Sequence, residues 1–404
     1  MPLRRTLLRG YYGKKNIGDD VFLVVTDWAI TKIFDSPGVN VYGNNLPELK
    51  HITKHGFSKH RFIPFLQVRA AILRSECILH VGGSIFNKAV KRIADERRLF
   101  FFKKCYALGI SIGPFKNQES YNYIKKYLNT FKYVSVRDNK SMQYSQEMGL
   151  RCHVSKAFDV AAILPLIDAD MQYLPKNIQV QKDSSKSVIG VSVCNYEKYQ
   201  GKNIQNETLR LNNLVRLIRA INKGNSNLEF RFFIFNENKN NGDLPVTEDV
   251  INMLKDEINV SIVRYTADTL AFWGQIKLCK LFLGFRLHSA ILSYMAKVPF
   301  VLFEYHPKCT DFLDDIGFSS DFRLDSLMSL NDSDLQNKLS SLLYDDSIQL
   351  TTLPSTQATQ IAYNDFIKFA EVVKRDELPT YKKQIFNLYQ QMFDPVRNLL
   401  HIRR

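Results

Sequence analysis

The chain has 404 residues, of which 45% are hydrophobic, 12% aromatic and 24% charged, too apolar for a disordered chain and too evenly mixed for a coiled coil. Lys and Arg number 55 against 40 Asp and Glu, a formal net charge of +15, which favours an anionic partner: nucleic acid, an anionic membrane surface or a phosphorylated substrate. The basic residues are scattered, and neither zinc-finger spacing nor an RNA-binding sheet motif occurs, so nucleic acid is not expected as a partner.

At roughly 100–200 residues per domain the length predicts two domains. The first half alternates short apolar runs with helical patterns. Leu7 to Gly10 reads as a strand running into a glycine-rich turn, and a helix follows from about Asp19 to Ile33. Val39 to Tyr42, Cys77 to Val81, Tyr106 to Ile112 and Tyr133 to Val136 read as further strands. The polar stretch 168–187 is the linker candidate. The pattern then restarts with strands at Ser187–Val193, Phe230–Phe235, Val260–Val263, Leu278–Gly284 and Pro299–Phe303, and a helix at about Glu207–Ile221. Strands alternating with helices imply parallel sheets covered on both faces.

The expected organisation is therefore an N-terminal Rossmann-like domain at 1–167, the linker, a second such domain at 188–345, and a helical extension at 346–404. Ligands are expected in a cleft between the domains, just beyond the carboxyl ends of the strands. Ser355–Lys374 reads as a helix. Tyr381–Ile402, with apolar residues at helical spacing and flanking Lys and Arg, reads either as a packed helix or as a basic amphipathic helix on an anionic membrane, interrupted at Pro395.

No segment reaches about 18 uninterrupted apolar residues, so no transmembrane helix is expected. The opening MPLRRTLLRGYYGKK lacks the apolar core of a signal peptide. The six cysteines are widely spaced with no CxxC, which points to reduced thiols in the cytoplasm.

Four strand ends carry the candidate chemistry. Gly10 to Asp20 contains Asn16-Ile17-Gly18-Asp19 at a helix start, where unpaired N–H groups suit an anion or polar ligand; Asp19 and Asp20 read equally well as helix caps. His80-Val81-Gly82-Gly83 lets a ligand or a second loop approach. Ser135-Val136-Arg137-Asp138 places an arginine suited to carboxylate or phosphate, unless Arg137 pairs internally with Asp138 or Asp159. Gly284-Phe285-Arg286-Leu287-His288 sets a fixed cation two residues from a group that carries a proton near neutral pH, and runs on to Pro299 and Tyr305-His306-Pro307-Lys308. His51 and His55 lack a third ligand or a metalloprotease glutamate, so no metal site is expected.

At these places, and at Leu108 to Pro114, the chain resembles the polysaccharide pyruvyl transferase family, in the family's order and over roughly residues 5 to 320. It departs from the family at the second motif, where two glycines are followed by Ser84, Ile85, Phe86 and Asn87 rather than a third glycine and an acidic residue. The resemblance implies an α/β fold of two Rossmann-like domains in a GT-B-like arrangement with an interdomain cleft, plus C-terminal helices. It implies transfer of pyruvyl from phosphoenolpyruvate onto two hydroxyls of a sugar, building a capsule or exopolysaccharide or its lipid-linked precursor. Arg137, Arg286, Leu287, His288 and Lys308 would bind phosphoenolpyruvate, with Arg137, Arg286 and His288 meeting in the cleft. His288 would act as general acid/base or as proton donor to the phosphate, and Asp19 would orient or deprotonate a hydroxyl. Asn16, Gly18, Asp19, Gly82 and Gly83 would serve the acceptor or shape its loops. No cofactor beyond the donor substrate and no metal is implied, and a cytoplasmic enzyme, at the inner face of the membrane through its tail, is expected. The competing enzyme is a GT-B glycosyltransferase using a nucleotide sugar; a non-catalytic binder of anionic polymer is the third reading.

Overall fold

A computed structural model describes residues 5–34, 38–58, 63–89, 104–170, 172–173, 186–197, 203–223, 225, 227–255, 257–327 and 332–375. Its first sheet is built from β1 (Thr6–Arg9), β2 (Val39–Tyr42), β3 (Thr53–His55), β4 (Cys77–Val81), β5 (Lys104–Ile110), β6 (Tyr133–Val136) and β7 (His153–Lys156). All pairings are parallel and the order is β3-β2-β1-β4-β5-β6-β7. The central strands β4 and β6 are buried along their whole length, as near-continuous apolar runs in a doubly covered parallel sheet must be. Ile78, Cys105, Ala107, Val134 and Val136 form one core with Ile124, Tyr127 and Leu128 of α3 (Gln118–Leu128).

The second sheet contains β8 (Ser187–Ser192), β9 (Leu228–Phe233), β10 (Val260–Val263), β11 (Cys279–Gly284), β12 (Phe300–Glu304) and β13 (Leu324–Asp325), again all parallel, in the order β10-β9-β8-β11-β12-β13. Its core joins Ile189, Val191, Phe230, Phe232, Leu281 and Leu283 to Leu214, Leu217 and Ile218 of α6 (Ile204–Asn222). Each sheet reverses its strand order once, between β1 and β4 and between β8 and β11. Such a switch point leaves a crevice outside the carboxyl ends of its strands. These are two Rossmann-like domains, as expected.

Contacts divide the chain into two units, one comprising the described residues of 1–13, 22–160 and 360–404, the other 14–21 and 161–359. This departs from the consecutive segments 1–167, 168–187, 188–345 and 346–404 for specific reasons. Residues 14–21 hydrogen-bond to the second unit, Ile17 N–H donating to the Phe235 carbonyl at 2.9 Å and Glu237 N–H to the Lys15 carbonyl at 2.9 Å. Residues from 360 onward count with the first unit. There Asp365 accepts from the hydroxyls of Tyr133 at 2.5 Å, Ser135 at 2.5 Å and Ser155 at 3.0 Å.

Of the expected linker, Asp168 lies in the last turn of α5 (Leu164–Ala169) and pairs with Lys277 at 2.7 Å; residues 171 and 174–185 lie outside the described residues. So does the expected tail helix at 381–402. The helix expected at Ser355–Lys374 is α12 (Ser355–Arg375). Among the described residues no helix is long and apolar enough to cross a membrane.

Candidate functional site

In the second unit the switch point falls between β8 and β11, and Arg286 and His288 lie just past the end of β11. Arg286 is the N-cap residue of α9 (Leu287–Met295), so Leu287 is the first helical residue and His288 the second. Helix N-termini carry N–H groups without intrahelical partners and a partial positive charge.

A second helix N-terminus meets the same imidazole. The chain enters α1 (Ile17–Ala29) through Asn16, whose side-chain oxygen accepts the Gly18 N–H at 3.1 Å. Asn16 is thus the cap of α1, and neither Asp19 nor Asp20 is. Asp20 is fully buried and accepts the Tyr265 hydroxyl at 2.8 Å; burial and then the adjacent negative charge hold that phenol well above its ordinary range. Asp19 stays half-buried in the first turn. A Cβ on Gly18 would sit 2.1 Å from Nδ1 of His288, so the ring rests directly on the glycine backbone.

Arg286 is anchored from behind. Its Nε donates to Oδ2 of Asp243 at 3.1 Å and its Nη2 to Oδ1. Asp243 is completely buried and precedes α7 (Leu244–Met253). Burial pushes its carboxyl up, while the guanidinium and the Asn236 N–H pull it down. Asn236 donates its backbone N–H to Oδ2 at 3.0 Å and also forms a bridge with Asn16.

Beyond β8, Cys194 hydrogen-bonds to Tyr305, and burial pushes its thiol up to about 11 although Arg286 opposes this. Tyr305 packs edge-on against Tyr196, the ring centroids 4.9 Å apart. His306 caps α10 (Pro307–Asp315), Nδ1 accepting the Lys308 N–H at 3.1 Å, and the Lys308 side chain is half-buried in that first turn. Asn16, Gly18, Asp19, Arg286, Leu287, His288 and Lys308 all therefore belong to the second unit.

The other expected residues belong to the first. Gly82 and Gly83 follow β4 with φ of +63° and +80°, values at which a side chain is strained. A Cβ on Gly82 would also strike the Phe22 ring at 2.5 Å. Arg137 is buried, donating from Nε to Ser111 at 2.7 Å, from Nη2 to Ser84 at 3.1 Å and from Nη1 to Asp159. Both internal partners weighed from the sequence are present, Asp159 in a direct hydrogen bond and Asp138 at 3.9 Å from Nε. His80 is a core histidine, its Nε2 3.1 Å from the Tyr127 hydroxyl, and burial depresses its pKa to about 3. No cluster of three or more metal-ligating side chains occurs among the described residues.

Sequence reasoning missed Asp243, Asn236 and Tyr265. Gly242-Asp243-Leu244-Pro245 reads as an ordinary helix start, and only the structure shows that the carboxylate does not cap its own helix.

The polysaccharide pyruvyl transferase family model matches residues 16–307. No curated protein matches the sequence. Among solved structures, the chain is similar to a UDP-GlcNAc 2-epimerase from Methanocaldococcus jannaschii, with TM-score 0.61 and 12% identity over 92% of this chain and 99% of that one. It is similar to the Neisseria meningitidis UDP-GlcNAc 2-epimerase bound to UDP-GlcNAc, with TM-score 0.57 and 10% identity over 92% and 99%. The S. aureus MnaA–UDP co-structure gives TM-score 0.59 and 11% identity over 93% and 99%. At such identities the likeness is one of GT-B-like fold alone.

Proposed function

The chain belongs to the polysaccharide pyruvyl transferase family, and from that premise we propose that it transfers pyruvyl from phosphoenolpyruvate to two hydroxyls of one sugar, in a capsule or exopolysaccharide or its lipid-linked precursor. The product is a cyclic ketal, and phosphate is released. The observation that carries this reading is the contact of Gly18 with His288. It sets the starts of α1 and α9 around one imidazole, with Arg286 beside it.

The donor carries a carboxylate and a phosphate. Arg286, Lys308 and the Leu287 N–H are assigned to these anionic groups. Arg137 enters on the family resemblance alone, its charge being shared with Asp159. In the first step a sugar hydroxyl adds to C2 of phosphoenolpyruvate, and C3 takes a proton to become a methyl group. In the second, the C2–O bond to phosphate breaks, the electron pair leaving with the phosphate, and the second hydroxyl closes the ketal. Two hydroxyl protons are lost; one is balanced at C3 and the other on the departing phosphate. His288 delivers a proton to C3 or to the phosphate, and Asp19 accepts one from a hydroxyl. Asn16, Gly18, Gly82 and Gly83 shape the loops for the acceptor. C2 gains a C–O bond as C3 gains a C–H bond, so the pyruvyl group undergoes no net redox change and the reaction needs no redox cofactor. A cytoplasmic setting at the inner membrane face belongs to the same proposal.

The test is mass spectrometry of candidate saccharides incubated with phosphoenolpyruvate, with phosphate assayed in parallel. Pyruvate addition matched by phosphate release is expected. Arg286→Ala and His288→Ala are each expected to lower turnover by at least about a hundredfold with the chain still folded, Arg286→Ala melting lower because Asp243 loses its partner. Near-normal turnover in either variant would defeat the assignment.

A further inference from the structure

Asp243 stands where an aspartate ordinarily caps a helix, yet no side-chain cap bond is made to α7. Both carboxylate oxygens go to Arg286, and Oδ2 also accepts the Asn236 N–H at 3.0 Å. The Asp243 backbone N–H returns to the Asn236 carbonyl at 2.7 Å. Asn236 bridges to Asn16, Phe235 accepts from Ile17 at 2.9 Å, and Gly18 then lies against His288. A continuous path of bonds therefore runs from the guanidinium to the glycine under the imidazole.

We propose that Asp243 is a positioning residue of the reaction: it fixes the plane of the Arg286 guanidinium and, through Asn236, its register with the Asn16–Gly18 segment that supports His288. This rests on the function proposed above. A guanidinium held by two parallel bonds has one orientation, whereas a single long side chain sweeps many. Small misplacements of a binding group at a reacting centre cost rate out of proportion to affinity. Asp243 also offsets one positive charge. Asp243→Asn is therefore expected to bind phosphoenolpyruvate as tightly as the parent or more so, while turning over at least about tenfold more slowly.

Isothermal titration with phosphoenolpyruvate, run beside steady-state turnover, tests this. The expected result for Asp243→Asn is unchanged stoichiometry, equal or tighter affinity and slower turnover. A purely structural role would lower stoichiometry and turnover in step, and that outcome overturns the proposal, as does parental turnover.

A second arm needs no substrate. Asp243→Leu and Arg286→Met are each expected to melt at least about 5 °C below the parent, because each removes one member of a largely buried ion pair. The double variant is expected to recover most of that loss. Additive losses in the double variant overturn the lock between the two residues, including where Asp243→Asn does not fold. Failure of the parent protein to bind phosphoenolpyruvate at all counts instead against the proposed function.

Discussion

A glycine in ordinary helical backbone is kept only by what surrounds it, and at Gly18 that is the His288 ring. Its φ is not among the positive values, so Gly18→Ala strains no backbone and gains helix propensity of up to about 1 kcal/mol. The methyl group must instead move the imidazole, since the ring atoms lie 2.1–2.7 Å from the added Cβ. Gly18→Ala should therefore lower kcat at least about tenfold and lower the melting temperature, since overpacking costs about 1–3 kcal/mol; normal kcat would show that the ring need not rest there. His80 offers the opposite case, a histidine whose proton matters to folding and not to chemistry. Its folded pKa is about 3 against 6.5 unfolded. The unfolded chain thus binds a proton that the folded one refuses between those values. The contribution of His80 is complete above about pH 6.5 and falls by about 1.4 kcal/mol per unit as pH drops toward 3. Urea titrations at several pH values should show that slope, and His80→Gln should lose one proton's worth of it. The sequence marked Arg286 and His288 because a cation and a titratable group stood together after a buried run. Asp243 carried no such mark, since what distinguishes it is a bond to a residue 43 positions away.

Elements were legible where their runs are apolar. Strands β1, β2, β4, β5, β6, β8, β9, β10, β11 and β12 correspond to apolar runs in the sequence. The three unread strands, β3, β7 and β13, are each at a sheet edge, short, and half-buried or exposed, with sequences Thr-Lys-His, His-Val-Ser-Lys and Leu-Asp. Edge strands are often kept polar and brief because their outer hydrogen bonds face no partner strand, so hydrophobic patterning did not announce these three, whereas the fourth edge strand, β10, keeps an apolar Val-Ser-Ile-Val run and was legible. What holds β7 in place is equally silent in sequence: the Ser155 hydroxyl joins those of Tyr133 and Ser135 on the buried Asp365 carboxylate of α12. Asp365→Ala would leave three hydroxyls without that acceptor. At about 1 kcal/mol or more for each, a loss near 3 kcal/mol is expected in urea unfolding, with Asp365→Asn milder because its amide oxygen still accepts. Equal stability of Asp365→Ala and the parent would mean that packing of Phe366 and Phe369 on Phe34 holds α12 unaided.

At the scale of the molecule, one fold carries unlike ligands, and only the residues at the strand ends choose between them. The M. jannaschii and N. meningitidis epimerases cover nearly all of this chain at 12% and 10% identity, which transmits the two-sheet plan and leaves the ligand open. In the second unit Arg286 follows β11 and Lys308 lies in α10, and the proposed donor site draws on both. The net charge of +15 favours anions generally. A ligand that binds the folded state raises its stability by mass action, by about 2.7 kcal/mol at a hundred times its dissociation constant. In a unit of this size that corresponds to a melting shift of roughly 5–10 °C. Phosphoenolpyruvate should produce such a shift in the parent protein and none in Arg286→Ala, and uridine diphosphate should produce none in either. Stabilisation by the nucleoside diphosphate without stabilisation by phosphoenolpyruvate would move the assignment to a glycosyltransferase with a nucleotide-sugar donor. A shift that persisted in Arg286→Ala would place the binding anion elsewhere on a basic molecule.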